Sequence, residues 1–241
     1  ADFDLVICAV PGYLGFETIK AVIEAGKDVV DISFFPENSL ELDALAKEND
    51  VTAIVDCGVA PGMSNIILGY QHARMAVERF VCYVGGLPMV RTLPYEYKAP
   101  FSPIDVISEY TRPARIMEHG ELVIRPPLSD VEFVDFDDIG TLEAFNTDGL
   151  RTLLRTMPVP NMKEKTLRYP GHARIMNVLR DTGFFDENAM DVNGTPVRPI
   201  DMTSQLLFPK WELTKDEEEF TVMRVLIEGK ENNTDRKYSY S

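Results

Sequence analysis

Five side chains stand out for the chemistry they can do. His172 follows Pro170-Gly171 and opens a helical pattern over residues 171–179. A helix N-terminus favours the neutral imidazole, so His172 reads either as a proton acceptor or donor, or as a packed or capping histidine. Lys98 sits in a loop bounded by Pro94 and Pro100. A desolvated lysine there acts as a base or binds a carboxylate, whereas a solvated one does neither. Arg168, four residues before His172, can grip a carboxylate through two parallel hydrogen bonds or pair with a structural acid. Asp31 and Asp56 each close an apolar run, where a carboxylate meets a ligand or serves an Asx turn. Gly85-Gly86 lets backbone approach a ligand closely or allows a turn. His72 and His119 show no partner pattern, and Cys8, Cys57 and Cys82 have no CxxC spacing, so no metal site is expected.

The elements that must carry these residues change character near residue 60. Asp4–Val10, Asp28–Ile32 and Val51–Val55 are short apolar runs that suit parallel strands buried on both faces. Helical patterns lie between them, with Gly26 closing the first and Asn38 or Ser39 capping the second. Strand and helix alternate with short connections, which predicts parallel crossovers and a ligand crevice beyond the carboxyl ends of the strands. The loops at Pro11–Tyr13, Asp31–Phe35 and Asp56–Met63 then share one edge. No two glycines stand at i and i+2, so the G-x-G-x-x-G turn of a dinucleotide site is absent from these residues. Together with a strand that starts almost at residue 1, this reads as the interior of a longer chain.

After Ala60-Pro61-Gly62 the text predicts a helix from Ser64 and a strand over Phe80–Val84 ended by Gly85-Gly86. Alternating antiparallel strands follow near residues 122–124, 131–134 and 142–145. A short helix is expected over Asp148–Leu154, strands over Lys165–Tyr169 and Phe220–Ile227, and a turn at Asn232–Asp235. The fold class expected is α/β: a partial, doubly wound Rossmann unit over residues 1–60, then an α+β unit with a mixed sheet over 61–241.

Composition excludes several classes. The chain has 241 residues, 45% apolar and 26% charged, enough to bury a core without staples. With 24 basic and 39 acidic residues the net charge is −15, which repels a phosphate backbone, so no nucleic-acid partner is expected. No apolar run has membrane-spanning length, and Ala1-Asp-Phe-Asp lacks a signal peptide's basic start. Few, scattered cysteines fit a reducing, cytoplasmic setting.

Several loops together resemble the saccharopine dehydrogenase family, and within it the lysine 6-dehydrogenase branch. They are Asp56-Cys-Gly-Val-Ala-Pro-Gly-Met-Ser-Asn65, Val84-Gly-Gly-Leu-Pro88, Tyr97-Lys-Ala-Pro-Phe-Ser-Pro103, Glu143-Ala-Phe-Asn-Thr-Asp-Gly-Leu150 and Leu167-Arg-Tyr-Pro-Gly-His172. Saccharopine reductases usually carry Asp before the Pro-Gly and Cys before Gly-Gly-Leu-Pro, where this chain has Ala60 and Val84. The resemblance implies NAD or NADP as cofactor, a small amino-acid substrate and a homodimer formed through the second unit. It implies oxidative deamination of an amine, the ε-amine of L-lysine giving the 6-semialdehyde. Saccharopine-type oxidation, or a non-catalytic dimerisation or ligand-binding module, are the other readings. Lys98, His172 and Asp31 are the catalytic candidates. Val10, Pro11, Gly12, Ser33, Asp56, Gly58 and Pro61 would border the cofactor. Asn65, Gly85, Gly86, Tyr97 and Arg168 would meet the substrate. Lys98, Arg168 and His172 are expected to converge on the crevice.

Overall fold

The three N-terminal apolar runs pair in parallel, as β1 (Leu5–Cys8), β2 (Asp28–Asp31) and β3 (Ala53–Ile54), in the order β1-β2-β3. The crossovers are α1 (Gly12–Glu24) and a 3-10 turn over Ser39–Leu42 that runs into α2 (Asp43–Glu48). Asn38 caps that turn, its Oδ1 accepting from the Leu40 N–H at 3.3 Å. These coordinates come from a computed structural model, which describes residues 3–99 and 102–241. Ala1-Asp2, read above as the chain's start, and Pro100-Phe101, within the Tyr97–Pro103 motif, lie outside the described residues.

The strands differ from the expectation in one respect. Both helices cover the same face, where Cys8, Ile19, Ile23, Val29 and Phe35 form one core. Alternate residues point the other way, so Leu5 is 53% and Ile7 72% exposed. The apolar runs are therefore buried on one face here, not two.

The rest of the chain builds around an eight-stranded mixed sheet. Its elements are α3 (Met63–His72), β4 (Ala76–Pro88), α4 (Pro103–Thr111), β5 (Ala114–Glu118), β6 (Glu121–Arg125), β7 (Glu132–Phe136) and β8 (Gly140–Thr147). Then come α5 (Leu153–Thr156), β9 (Asn161–Arg168), α6 (His172–Asp181), a small hairpin of β10 (Met190–Val192) and β11 (Thr195–Val197), α7 (Pro199–Trp211), β12 (Glu219–Glu231) and β13 (Thr234–Tyr240). The strand order is β13-β12-β4-β9-β5-β6, with β8 joining β9 and β7 joining β8. Only β4 and β9 run parallel in it; the other pairs are antiparallel. Leu68, Phe80, Cys82, Val225 and Ile227 pack on one side of β4 and β12. Val81, Tyr83, Leu142, Leu167 and Val222 pack on the other. The helices α4, α6 and α7 enclose Tyr110, Met176 and Trp211 with Phe145 of β8.

Two local expectations are corrected and one helix is added. Gly85 and Gly86 do not end β4: they pair with Val222 and Thr221 of β12, and the strand continues to Pro88. Gly85 is required by space, because a Cβ there would overlap the Leu167 carbonyl of β9. Asp148–Leu154 is mostly a turn, with Arg151 at φ 49°, and helix forms only over Leu153–Thr156. Helix α7 went unread because Pro209 interrupts its pattern, although Pro199 suits the first turn and Ile200, Thr203, Leu207 and Trp211 form a buried stripe.

The glycines of β4 and α3 separate two effects. Gly85→Val should destabilise the chain by about 1–3 kcal/mol through overpacking. Gly69→Ala, where nothing lies within 4 Å of the new methyl group, should stabilise it by up to about 1 kcal/mol through helix propensity. Urea unfolding midpoints of the two variants against the unmodified chain test both signs.

Candidate functional site

The three loops leaving β1, β2 and β3 lie on one edge, and α4, β5 and the turn after β8 face them. Gly12, first residue of α1, donates its N–H to Asp105 of α4 at 3.1 Å. It has no room for a side chain, since a Cβ would overlap the Phe34 carbonyl. Asp56 accepts the Thr152 N–H at 3.0 Å and pairs with Arg151 Nε at 3.5 Å; both side chains are nearly fully buried. Arg115 of β5 holds Asp148 through Nε and Nη2, both at 2.8 Å, and through its own backbone N–H at 3.1 Å. The Arg151 guanidinium lies 5.0 Å and that of Arg112 4.9 Å from the centroid of Phe34.

Asp31 is completely buried at the end of β2. Its Oδ1 accepts from Ser33 Oγ at 2.5 Å, while Oδ2 has no partner among the described residues. Burial raises the Asp31 pKa, against the opposing bonds from Ser33 and Cys8. Burial and the Asp31 carboxylate together push the Cys8 thiol up to about 11. Val10, Pro11, Gly58 and Pro61 lie in the same three loops, and Gly58 and Pro61 share a tight bend closed by a 2.9 Å bond from the Gly58 N–H to the Pro61 carbonyl. Asn65 lies in the first turn of α3, where its Oδ1 accepts from Ser64 Oγ at 3.2 Å.

Arg168 and His172 form a second, fully buried cluster. Arg168 pairs with Glu109 of α4 at 2.8 Å, and its guanidinium lies over the ring of Tyr97 at 4.5 Å. Its Nε donates to the Tyr110 hydroxyl at 3.4 Å. His172 Nδ1 is 3.1 Å from the Tyr95 carbonyl and Nε2 is 2.9 Å from the Tyr110 hydroxyl. A carbonyl only accepts, so Nδ1 carries the proton and Nε2 accepts from Tyr110. Burial, reinforced by the Arg168 charge, lowers the His172 pKa to about 3. Glu143 accepts the Ala173 N–H at 2.8 Å and so caps α6.

The structure brings Arg168, His172 and Tyr97 together and gives Lys98 other partners. Lys98 Nζ donates to the Glu212 carbonyl at 2.9 Å and pairs with Glu217 at 3.1 Å, both beyond the end of α7. Gly85 and Gly86 are committed to the sheet.

Sequence reasoning missed several charged residues at the crevice. Asp105 and Glu109 stand at i and i+4 on one face of α4, and Arg112 follows its last residue; they contact Gly12, Arg168 and Phe34 in turn. A short helix over Ile104–Tyr110 is legible in the sequence and forms as Pro103–Thr111; which of its charged residues face the crevice is not. Glu164 of β9 also went unread. It is buried against Gly149, and burial followed by the nearby Glu109 and Asp148 carboxylates raises its pKa to about 8.

Residues 58–241 match the family model of the saccharopine dehydrogenase C-terminal domain. The chain belongs to the saccharopine dehydrogenase family. The resemblance to that family carried by its loop motifs is thereby borne out. It is 26% identical over 220 residues to the mitochondrial alpha-aminoadipic semialdehyde synthase of Mus musculus, covering 82% of this chain and 23% of the relative. It is 26% identical over 213 residues to the NADP(+), L-glutamate-forming saccharopine dehydrogenase of Schizosaccharomyces pombe, covering 79% and 45% respectively. The chain thus spans less than half the length of these curated relatives. Among solved structures, apo saccharopine dehydrogenase (L-Glu forming) from Saccharomyces cerevisiae superposes with a TM-score of 0.69 at 16% identity, over 99% of this chain and 70% of that one. Homospermidine synthase from Legionella pneumophila, solved with NAD, gives 0.53 at 13% identity, over 98% and 61%. These likenesses establish the fold: α/β, with a parallel Rossmann-type sheet followed by a mixed one.

Three measurements test the site's electrostatics. His172 should stay neutral between about pH 5 and pH 8, giving ring-carbon NMR signals that do not titrate there. Its folded pKa of about 3 lies below the unfolded value of 6.5. Its contribution to stability is therefore complete above pH 6.5 and is lost as the pH falls toward the folded value; His172→Gln should flatten that part of the stability profile. Asp56→Ala should cost about 3–5 kcal/mol in denaturant unfolding, because it leaves Arg151 buried without its carboxylate.

Proposed function

We propose that this chain is part of an NAD(P)-dependent oxidoreductase acting on the amine of an amino acid. The observation that carries the reading is the crevice edge, where Asp31 holds a buried carboxyl oxygen without a partner beside three loops at the ends of parallel strands. Residues 1–60 are the last part of a dinucleotide-binding unit, and residues 61–241 a substrate-binding and dimerisation unit.

The residues present suit the nicotinamide side of the cofactor. Val10–Gly12, Ser33 and Asp56–Pro61 would border it, and the orphaned Asp31 oxygen would meet a ribose hydroxyl or the substrate amine. When bound, the dinucleotide takes up the electron pair that leaves the carbon bearing the amine. The protein's share is to hold the amine neutral, to receive its proton and to exclude water from that face. Asp31, with its raised pKa, can hold a proton at Oδ2. Water then hydrolyses the imine to the aldehyde and releases ammonia.

For the substrate we propose L-lysine, oxidised at its ε-amine to the 6-semialdehyde. The support is at residue 60, where the saccharopine reductases that the motifs resemble carry Asp. Here Ala60 packs against the apolar cluster around Leu68 and offers no carboxylate. Saccharopine oxidation is the second reading, favoured by the names of the curated relatives. A homodimer through the mixed sheet fits the exposed Leu122, Ile124 and Phe133 on β6 and β7. No described helix is long and apolar enough to cross a membrane. Three free cysteines fit a reducing, cytoplasmic setting.

The protein expressed from the complete reading frame tests this. NAD(P)H should form with L-lysine, and the semialdehyde should be trapped by 2-aminobenzaldehyde. Reduction with saccharopine and not with lysine would establish the second reading; no reduction with either would overturn both. Asp31→Asn should lower kcat by roughly 10²–10⁴ with little change in KM, the signature of a lost proton-transfer group.

A further inference from the structure

Arg112 and Arg151 reach the crevice from different stretches, the end of α4 and the turn after β8. Both guanidinium groups lie against the ring of Phe34, at 4.9 and 5.0 Å from its centroid. Each has one buried nitrogen, Nη1, with no acceptor among the described residues. The Arg151 side chain is only 3% exposed, and its ion pair with Asp56 runs through Nε, which leaves Nη1 without an acceptor. Arg112 has no carboxylate within ion-pair distance among the described residues. Burial lowers the pKa of both groups; the like charges of Arg151 and Arg115 add to the shift at Arg112, and that of Arg115 adds to the shift at Arg151, while Asp148 opposes both.

Such groups are costly to leave as they stand. A buried charged donor without an acceptor costs upwards of about 1–3 kcal/mol, and native proteins satisfy nearly all of them. Two guanidinium groups that each keep one buried N–H unsatisfied, held against one aromatic wall beside the crevice, are preorganised for an oxyanion. We propose that Arg112 and Arg151 form an oxyanion clamp, walled by Phe34, that takes the carboxylate of the bound ligand. Arg168, the cation expected for that task from sequence, is already engaged by Glu109 at 2.8 Å. The source of the oxyanion, a substrate amino acid rather than a phosphate of the nucleotide, rests on the dehydrogenase reading; the clamp itself does not.

Calorimetric titration of this chain with sodium propionate and, separately, with inorganic phosphate tests the clamp without any activity assay. Propionate should bind saturably and more tightly than phosphate. Arg112→Gln should weaken binding about tenfold or more, and Arg151→Lys should weaken it too while keeping the charge opposite Asp56. Circular dichroism of both variants checks that they remain folded; Arg112 makes no ion pair among the described residues, so its replacement keeps the test open if the Arg151 variant unfolds. Tighter binding of phosphate than of propionate would overturn the carboxylate source and assign the clamp to the nucleotide. No saturable binding of either anion, or binding unchanged in Arg112→Gln, would overturn the clamp. Propionate binding in a full-length protein that oxidises no amine would leave the clamp standing and remove the dehydrogenase reading alone.

Discussion

A buried ion pair joins the two sheets of this protein, and the geometry of the crevice depends on it. Asp56 leaves the end of β3 and meets both the side chain of Arg151 and the N–H of Thr152. Neither charge could be buried alone without a penalty of several kcal/mol. Both residues also hold left-handed backbone, at φ 51° and φ 49°. That conformation is uncommon for residues other than glycine and is kept only where the surroundings over-determine it. The surroundings do so here. Thr152 follows Arg151 directly, so one turn delivers a backbone donor and a guanidinium to the same carboxylate. With that turn fixed, Arg151 lies against Phe34 and the Asp148–Arg115 pair is held beside it.

Helix α4 supplies the second tie. It reaches Gly12 through Asp105 and Arg168 through Glu109, and Arg112, just past its last residue, reaches Phe34. The crevice cluster and the buried Arg168–Tyr110–His172 chain are therefore two ends of one helix face. A shift of α4 along its axis would disturb both together, which makes the helix a rigid rule between the loops after the parallel strands and the interior of the second unit.

How much of this the sequence discloses depends on the range of the interaction. Short apolar runs separated by capped helices disclose the parallel sheet, and alternation discloses the antiparallel strands near residues 122–145. The placement of β9 beside β4 is not legible, because parallel pairing across more than seventy intervening residues leaves no local pattern. Gly85 shows the same limit. Its type was noticed, yet its reason is the Leu167 carbonyl on a distant strand. At the site, Asp31 and Asp56 were legible because they end strands, and Arg168 and His172 because they share a motif. The cations that line the crevice were not, since Arg112, Arg115 and Arg151 look like ordinary surface arginines until tertiary structure buries them. Lys98 shows the converse: a proline-bounded loop suggested desolvation, but the loop turns its amine toward Glu217 at the protein's edge.

The thirteen-residue strand β4 has a bearing on how the chain reaches this structure. It lies in the middle of the mixed sheet, yet both of its neighbours, β9 and β12, come later in the sequence. During synthesis β4 emerges with two open hydrogen-bonding edges and apolar residues on both faces. It must wait for the rest of the chain before either edge is closed, and the loops to be closed are long. Assembly ordered in this way is slow and leaves an adhesive strand exposed meanwhile. The charged residues of β12, Glu219, Arg224, Glu228, Lys230 and Glu231, would then temper premature pairing with a neighbouring nascent chain. The last long strand to be made is thus the one that seals the sheet, so the order of translation is written into the order of the strands.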